Sequence, residues 1–184
     1  MKRAAWLLAF ACGTVAAEPR VFRLDPAHTF VHFEVLHFGT STLRGRIGPV
    51  DGAVTLDTAA KRGELGLRIR TATVDTGLRV LDSRLREPDL LAVEAYPEAY
   101  FVSRSFRFDG DAVAEVRGEF TLRNVSVPLS LKALRFACRD EGARRRCGGD
   151  FEGFVDRGDF GMSFGLPLIA NRTRLLVTVE ALSD

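Results

Sequence analysis

Cysteine is scarce in this chain of 184 residues, with three in all, and histidine is equally rare. No apolar run approaches the roughly 20 residues that cross a bilayer as a helix, so stable membrane insertion through a helix is not expected. Excess charge is missing too: 26 Lys and Arg face 24 Asp and Glu. Lys2 and Arg3 account for that small excess, so the charge balance makes no case for a nucleic-acid partner. Catalytic signatures are also absent. The chain has no Gly-x-Ser-x-Gly, no His-Glu-x-x-His and no phosphate-cradling glycine loop. No composition shift or internal repeat marks a second domain, and the length suits a single core.

What is present begins with a leader. Lys2-Arg3, an apolar run over residues 4–12 and Val15-Ala16-Ala17 before Glu18-Pro19 read as a secretory signal peptide. Cleavage after Ala17 is expected, giving a signal peptide 1–17 and an exported domain 18–184. Ala9-Phe10-Ala11 lacks the lipoprotein pattern before Cys12, so lipidation there is not expected. Cys138 and Cys147 then remain, and an exported chain with two cysteines predicts one disulfide rather than two reduced thiols. Closing so short a loop stabilises by roughly 2–3 kcal/mol.

The opening stretch from Leu24 to Leu56 sets the architecture. Val31, Phe33, Val35 and His37 fall on one face of an extended chain, His32, Glu34 and Leu36 on the other. That period of two marks a half-buried strand. Gly39 allows a reversal, and a strand from about Thr42 completes an antiparallel hairpin. Leu65, Leu67, Ile69 and Thr71 alternate in the same way with Glu64, Arg68 and Arg70. Over residues 76–95 leucines recur at spacings of three and four, which predicts a short helix with Asp75-Thr76 as N-cap side chains. Pro88 ends it, and Leu90-Leu91 starts a second turn.

Strands resume over residues 99–108 and return through 112–122 after Asp109-Gly110-Asp111, a strong hairpin signal. Asn124 turns the chain into a strand over 127–136, with Pro128 near its start. Cys138 and Cys147 bracket a polar loop at 139–146, and residues 151–157 and 174–182 supply the last strands. The prediction is an all-β fold, a closed eight-stranded antiparallel barrel with one short helical insertion, since closure removes exposed edges. Phe33, Val35, Leu65, Leu67, Ile69, Phe101, Val116, Phe120, Leu129, Leu131, Val177 and Val179 occupy apolar strand faces and are expected to point inward. Phe160 and Met162 add core volume. At this strand number the interior is either filled by side chains or holds one slender ligand.

The histidines make a poor metal site. His28 and His32 share a face but lie about 13 Å apart along a strand, too far to meet at one ion, and His37 points the other way. His37 is expected near a barrel end, with contact to a ligand headgroup as the lesser alternative. Arg157 and Asp159 read first as an ion pair or turn stabiliser. The Asn124-Val125-Ser126 and Asn171-Arg172-Thr173 acceptor patterns are read as chance, and Arg144–Arg146 as a solvated patch.

Several stretches together resemble a known family. Asp25-Pro26-x-His28-Thr29, Val31-x-Phe33-x-Val35-x-His37-Phe38-Gly39 and Gly45-Arg46 are similar to the opening signature of the YceI-like family. Gly118-x-Phe120-Thr121-Leu122-x-x-Val125-x-x-Pro128-Leu129 resembles its mid-chain strand pair. Tyr96-Pro97 with Phe101-x-Ser103, and Arg157-x-Asp159-Phe160-Gly161-Met162, resemble later motifs. The resemblance implies a periplasmic, lipocalin-like, non-catalytic barrel whose bound group is a polyisoprenoid, quinone-like or fatty lipid rather than a cofactor. It also implies, by association, a membrane cytochrome b561-type partner. Relatives usually carry Arg-Asp-x-His-Leu and Phe-Phe-Asp where this chain has Leu81-Asp82-x-Arg84-Leu85 and Leu90-Leu91-Ala92, so ligand choice differs if that region caps the pocket. Two other classes stay open: an enzyme acting on a lipid headgroup through His37, Arg157 and Asp159, and a solidly packed structural or adhesion barrel. Oligomeric state is open, with a homodimer among the options.

Overall fold

The computed structural model describes residues 19–183; the expected cleavage point after Ala17 and the cysteine at position 12 lie outside them. Strands β1 (Arg20–Leu24), β2 (Phe30–His37), β3 (Ser41–Ile47), β4 (Val50–Asp57), β5 (Arg62–Arg70), β6 (Glu98–Asp109), β7 (Ala112–Leu122), β8 (Val125–Glu141), β9 (Arg144–Asp156) and β10 (Ile169–Ser183) form one antiparallel sheet. These segments fill eight positions around a closed barrel. β1 and β2 lie in succession along β10, with Leu24 opposite Ala181 and Phe30 opposite Thr178. β3 and β4 lie in succession beside them, interrupted at Gly48-Pro49, and the other strands follow in chain order. The predicted eight-stranded barrel is therefore the observed fold.

Tight turns make this meander possible. The β6–β7 hairpin turns at Gly110-Asp111, and β7–β8 turns at Arg123-Asn124; Gly110, Arg123 and Asn124 are left-handed. Inward side chains then alternate along each strand, and Phe22, Val50, Phe101, Val116 and Phe151 are among those buried. Gly45 shows why one position is glycine: a Cβ there would lie 2.4 Å from the Phe33 ring on the paired strand. Phe33 lies across β3, and only a bare backbone leaves it room.

Three expectations need correction. β1 was not anticipated, because five residues with two arginines carry little alternation, yet it closes the lower part of the ring against β10. The stretch 139–146 is not a loop. β8 and β9 stay paired to Glu141 opposite Arg144, and Cys138–Cys147 is a cross-strand disulfide between directly opposed residues. Charged side chains on both faces hid those strand ends, and here they pair instead, as Arg139 and Arg146 both do with Glu141.

The helix is shorter than expected. α1 spans Arg79–Leu85, and its N-cap, Leu78, has no side-chain bond. Thr76 does not cap it; the Thr76 amide and hydroxyl both donate to the Asp82 carboxylate at 2.7 Å, which holds that carboxyl below its ordinary range. Seven residues cannot present a full apolar face, so Leu78 and Val80 remain 65% and 87% exposed. The turns after α1 bury Leu90, Leu91, Ala92 and Val93 instead. β5 ends at Arg70, leaving β3 to pair with the 71–96 segment only through the Arg46–Asp75 bridge. That segment fills the gap between β3 and β6.

Candidate functional site

The barrel interior holds two apolar cavities, one above the other, that share no lining residue. The lower cavity has a volume of about 70 Å³ and lies towards the β8–β9 hairpin. Strand residues alone wall it, including Leu65, Leu67, Phe101, Val116, Leu131, Val177 and Val179. The upper cavity, about 130 Å³, lies towards the β2–β3 turn. Phe33, Val35, Ile69 and Phe120 come from strands; Leu85, Leu90 and Leu91 come from the 71–96 segment, and Phe160 and Met162 from the connection before β10.

A waist separates the two. Gly118 and Gly153 replace inward side chains at mid-height, and neighbours take the vacated space. A Cβ on Gly153 would sit 2.9 Å from Leu129 and 2.8 Å from Leu131, and one on Gly118 would sit 2.9 Å from Phe101. Leu129 is buried there but lines neither cavity. Of the anticipated lining residues, it and His37 are the two that stand apart. His37 pairs with Ile169 and Ser41 beside the β2–β3 turn, its ring edge-on to Phe38 at 4.3 Å.

Polar groups are confined to the upper cavity. Arg157, in a single 3-10 turn over Arg157–Phe160, is 7% exposed and lines it. Its guanidinium donates to the carbonyls of Ala170 at 2.9 Å, Met162 at 2.6 Å and Ile169 at 2.8 Å. The turn-stabiliser reading of Arg157 is the one observed; among the described residues no ion pair links it to Asp159, which is exposed. Burial alone acts on its titration, pushing the guanidinium down from its ordinary value. Thr71 also lines the cavity, and its hydroxyl is satisfied by the Tyr96 carbonyl at 2.8 Å.

Thr173 is the polar lining residue that sequence reasoning missed. It is buried, lines the upper cavity, and its hydroxyl has no hydrogen-bond partner among the described residues. A signal existed: Thr173 continues the period-two series of Leu175, Val177 and Val179. It was obscured because the last strand was expected to begin at residue 174, whereas β10 begins at Ile169.

The nominated catalytic trio does not assemble: no hydrogen bond or ion pair joins His37, Arg157 and Asp159 among the described residues. Elsewhere Asp25, His28 and Glu180 bring potential metal ligands within 4.8 Å of one another. Arg146 already supplies the positive charge there, 3.4 Å from Asp25 and 3.0 Å from Glu180. His32 and His37 take no part.

The closed antiparallel barrel has known counterparts. The YceI-like domain model matches residues 22–181. The chain belongs to the YceI-like family. It is 30% identical over 179 residues to Protein YceI of Escherichia coli O157:H7, covering 96% of this chain and 93% of that protein. Against Protein YceI of Salmonella arizonae it is 31% identical over 180 residues, covering 96% of this chain and 93% of that protein. Among solved structures, Burkholderia cenocepacia BcnA superposes with a TM-score of 0.69 at 19% identity, over 85% of this chain and 98% of that one. Campylobacter jejuni YceI protein gives 0.68 at 19% identity over 99% of both chains. A polyisoprenoid-binding domain from Saccharophagus degradans, implicated in plant cell wall breakdown, gives 0.60 at 16% identity over 89% of this chain and 98% of that one.

Proposed function

We propose that this protein carries or stores a long isoprenoid or similar amphiphilic lipid inside its barrel, without catalysis. The two stacked apolar cavities support this reading most directly. A chain buried there gains about 0.8 kcal/mol per CH₂, and one slender molecule needs few polar contacts. The lining is the lipid site: Phe33, Val35, Ile69, Phe120, Phe160 and Met162 above, Leu65, Leu67, Phe101, Val116, Leu131, Val177 and Val179 below. Leu129 sets the passage between them, and His37 stands at the rim.

The Cys138–Cys147 disulfide suits an oxidising compartment, and no helix among the described residues is long and apolar enough to cross a membrane. Together with the leader, these support export to the periplasm. A cytochrome b561-type partner rests on the family association. The Saccharophagus degradans neighbour is a polyisoprenoid-binding domain, which favours the same ligand class here.

Native mass spectrometry of the purified mature protein tests the proposal. The expected spectrum contains a co-purified lipid, or a one-to-one adduct after incubation with a long isoprenoid. A single ligand-free mass before and after incubation overturns it.

A further inference from the structure

Two polar features face the upper cavity without being used up by the fold. The Thr173 hydroxyl is buried with no partner, in a residue that is 8% exposed. Beside the same space lies Arg157, whose three carbonyl bonds take three of the five N–H groups a guanidinium offers. No carboxylate pairs with it among the described residues. An unmatched buried hydroxyl and an unneutralised buried cation are both costly, and natural interiors rarely keep either without a use. The lower cavity contains nothing of the kind; its walls are apolar throughout.

Thr173 faces inward because it continues the alternation of Leu175 and Val177, directly after a register slip. β10 bulges between Ile169 and Thr173, and Arg157 collects the Ile169 and Ala170 carbonyls within that bulge. The bulge presents backbone carbonyls to Arg157, while the regular strand beyond it puts the Thr173 hydroxyl into an apolar chamber. Arg157 can only donate, so a ligand group that satisfies both residues must accept. We propose that the upper cavity is the polar anchor of the lipid site, where Thr173 and Arg157 receive a ligand oxygen, carbonyl or carboxylate, at the end of a long apolar chain.

This assignment rests on the lipid-carrier reading and goes further by fixing ligand orientation: oxygen end up, hydrocarbon end down. It also defines the ligand class as an oxygen-terminated chain rather than a bare hydrocarbon. A membrane quinone and a fatty or isoprenoid acid share that chemistry.

The test uses delipidated mature protein and displacement of diphenylhexatriene, a fluorescent hydrocarbon, by geranylgeranylacetone, geranylgeranoic acid and phytane. Wild type is expected to bind the ketone and the acid more tightly than the hydrocarbon, and the tighter of the two identifies the source. Thr173→Val is expected to weaken the oxygen-bearing ligands about fivefold, the worth of one hydrogen bond, and to leave phytane unchanged. The same variant should raise the melting midpoint of the ligand-free protein, because it removes an unpaired hydroxyl. Equal affinities for all three ligands, or equal weakening of all three, overturn the anchor while leaving the carrier intact. Failure of wild type to bind diphenylhexatriene or any of the three overturns both. Arg157 is left unchanged in this test because its carbonyl bonds hold the fold.

Discussion

The two halves of the barrel are built by different rules. The lower half is a pure product of strand alternation: every wall residue comes from a strand, and a cross-strand disulfide secures the hairpin beneath it. The upper half borrows its walls from the 71–96 segment and from the connection before β10, and it admits Arg157, Thr71 and Thr173. One half offers apolar volume alone. The other offers volume with chemical preference, and part of its wall lies outside the ring of strands.

That contrast can be broken most sharply at Arg157. Arg157→Met deletes three hydrogen bonds to carbonyls, each worth about 1.5 kcal/mol or more with a charged donor, so unfolding in urea should show a loss of at least about 4 kcal/mol. Asp159→Asn, at an exposed position beside it, should stay within about 0.5 kcal/mol. The lower half has its own fastening. Cys138→Ser should cost about 2–3 kcal/mol in the same assay, and intact mass with and without reductant should differ by two hydrogens in wild type. Free thiols in exported protein would remove the lower clamp from the comparison.

Leu67→Trp asks whether the ligand uses both halves. Overpacking a filled core costs about 1–3 kcal/mol, but Leu67 borders the lower cavity, so less than about 1 kcal/mol is expected. Binding of a long fluorescent isoprenoid should be lost while a short one retains the upper cavity. A destabilised variant with unchanged lipid binding would refute the carrier reading at this site.

The smallest effect concerns pH. On the outer wall beside the lower half, Arg117, Ser130 and Arg107 hold the buried Glu115 carboxyl down to about 2. The unfolded chain takes up that proton first, so the contribution of Glu115 is present above its ordinary value of 4.5 and is lost as pH falls towards about 2. In a pH series of melting midpoints, the gap between wild type and Glu115→Gln should shrink across that window. A gap that stays constant down to about pH 2 would show that the carboxylate is not held there.

The same division explains what could be read from the chain. Leu65, Leu67, Val116, Leu131 and Val177 announced themselves by period two, because a strand with one wet and one dry face must alternate. The upper lining did so only in part, through Phe33, Val35, Ile69 and Phe120. Leu90 and Leu91 are brought in by turns, Arg157 looks like any charged residue until its carbonyls are seen, and Thr173 lies just before the expected start of its strand. β1 and the paired ends of β8 and β9 were missed for a simpler reason: their alternation is carried by arginines and carboxylates, which read as loop.

The seam of the ring has a consequence for how the molecule comes into being. Most strands meet a partner through a short hairpin, but β1 and β2 close against β10, with Phe22 opposite Ser183 and Val31 opposite Val177. During synthesis from the N-terminus the first strands to appear therefore wait for the last one. Until it arrives their free edges are open to wrong partners, and contacts so distant in sequence are slow to form. Charges on the seam favour the right match: Arg174 of β10 bridges Glu34 of β2 and Glu152 of β9. The final strand is thus both the lock of the barrel and its timing signal, since no sealed interior exists before it docks.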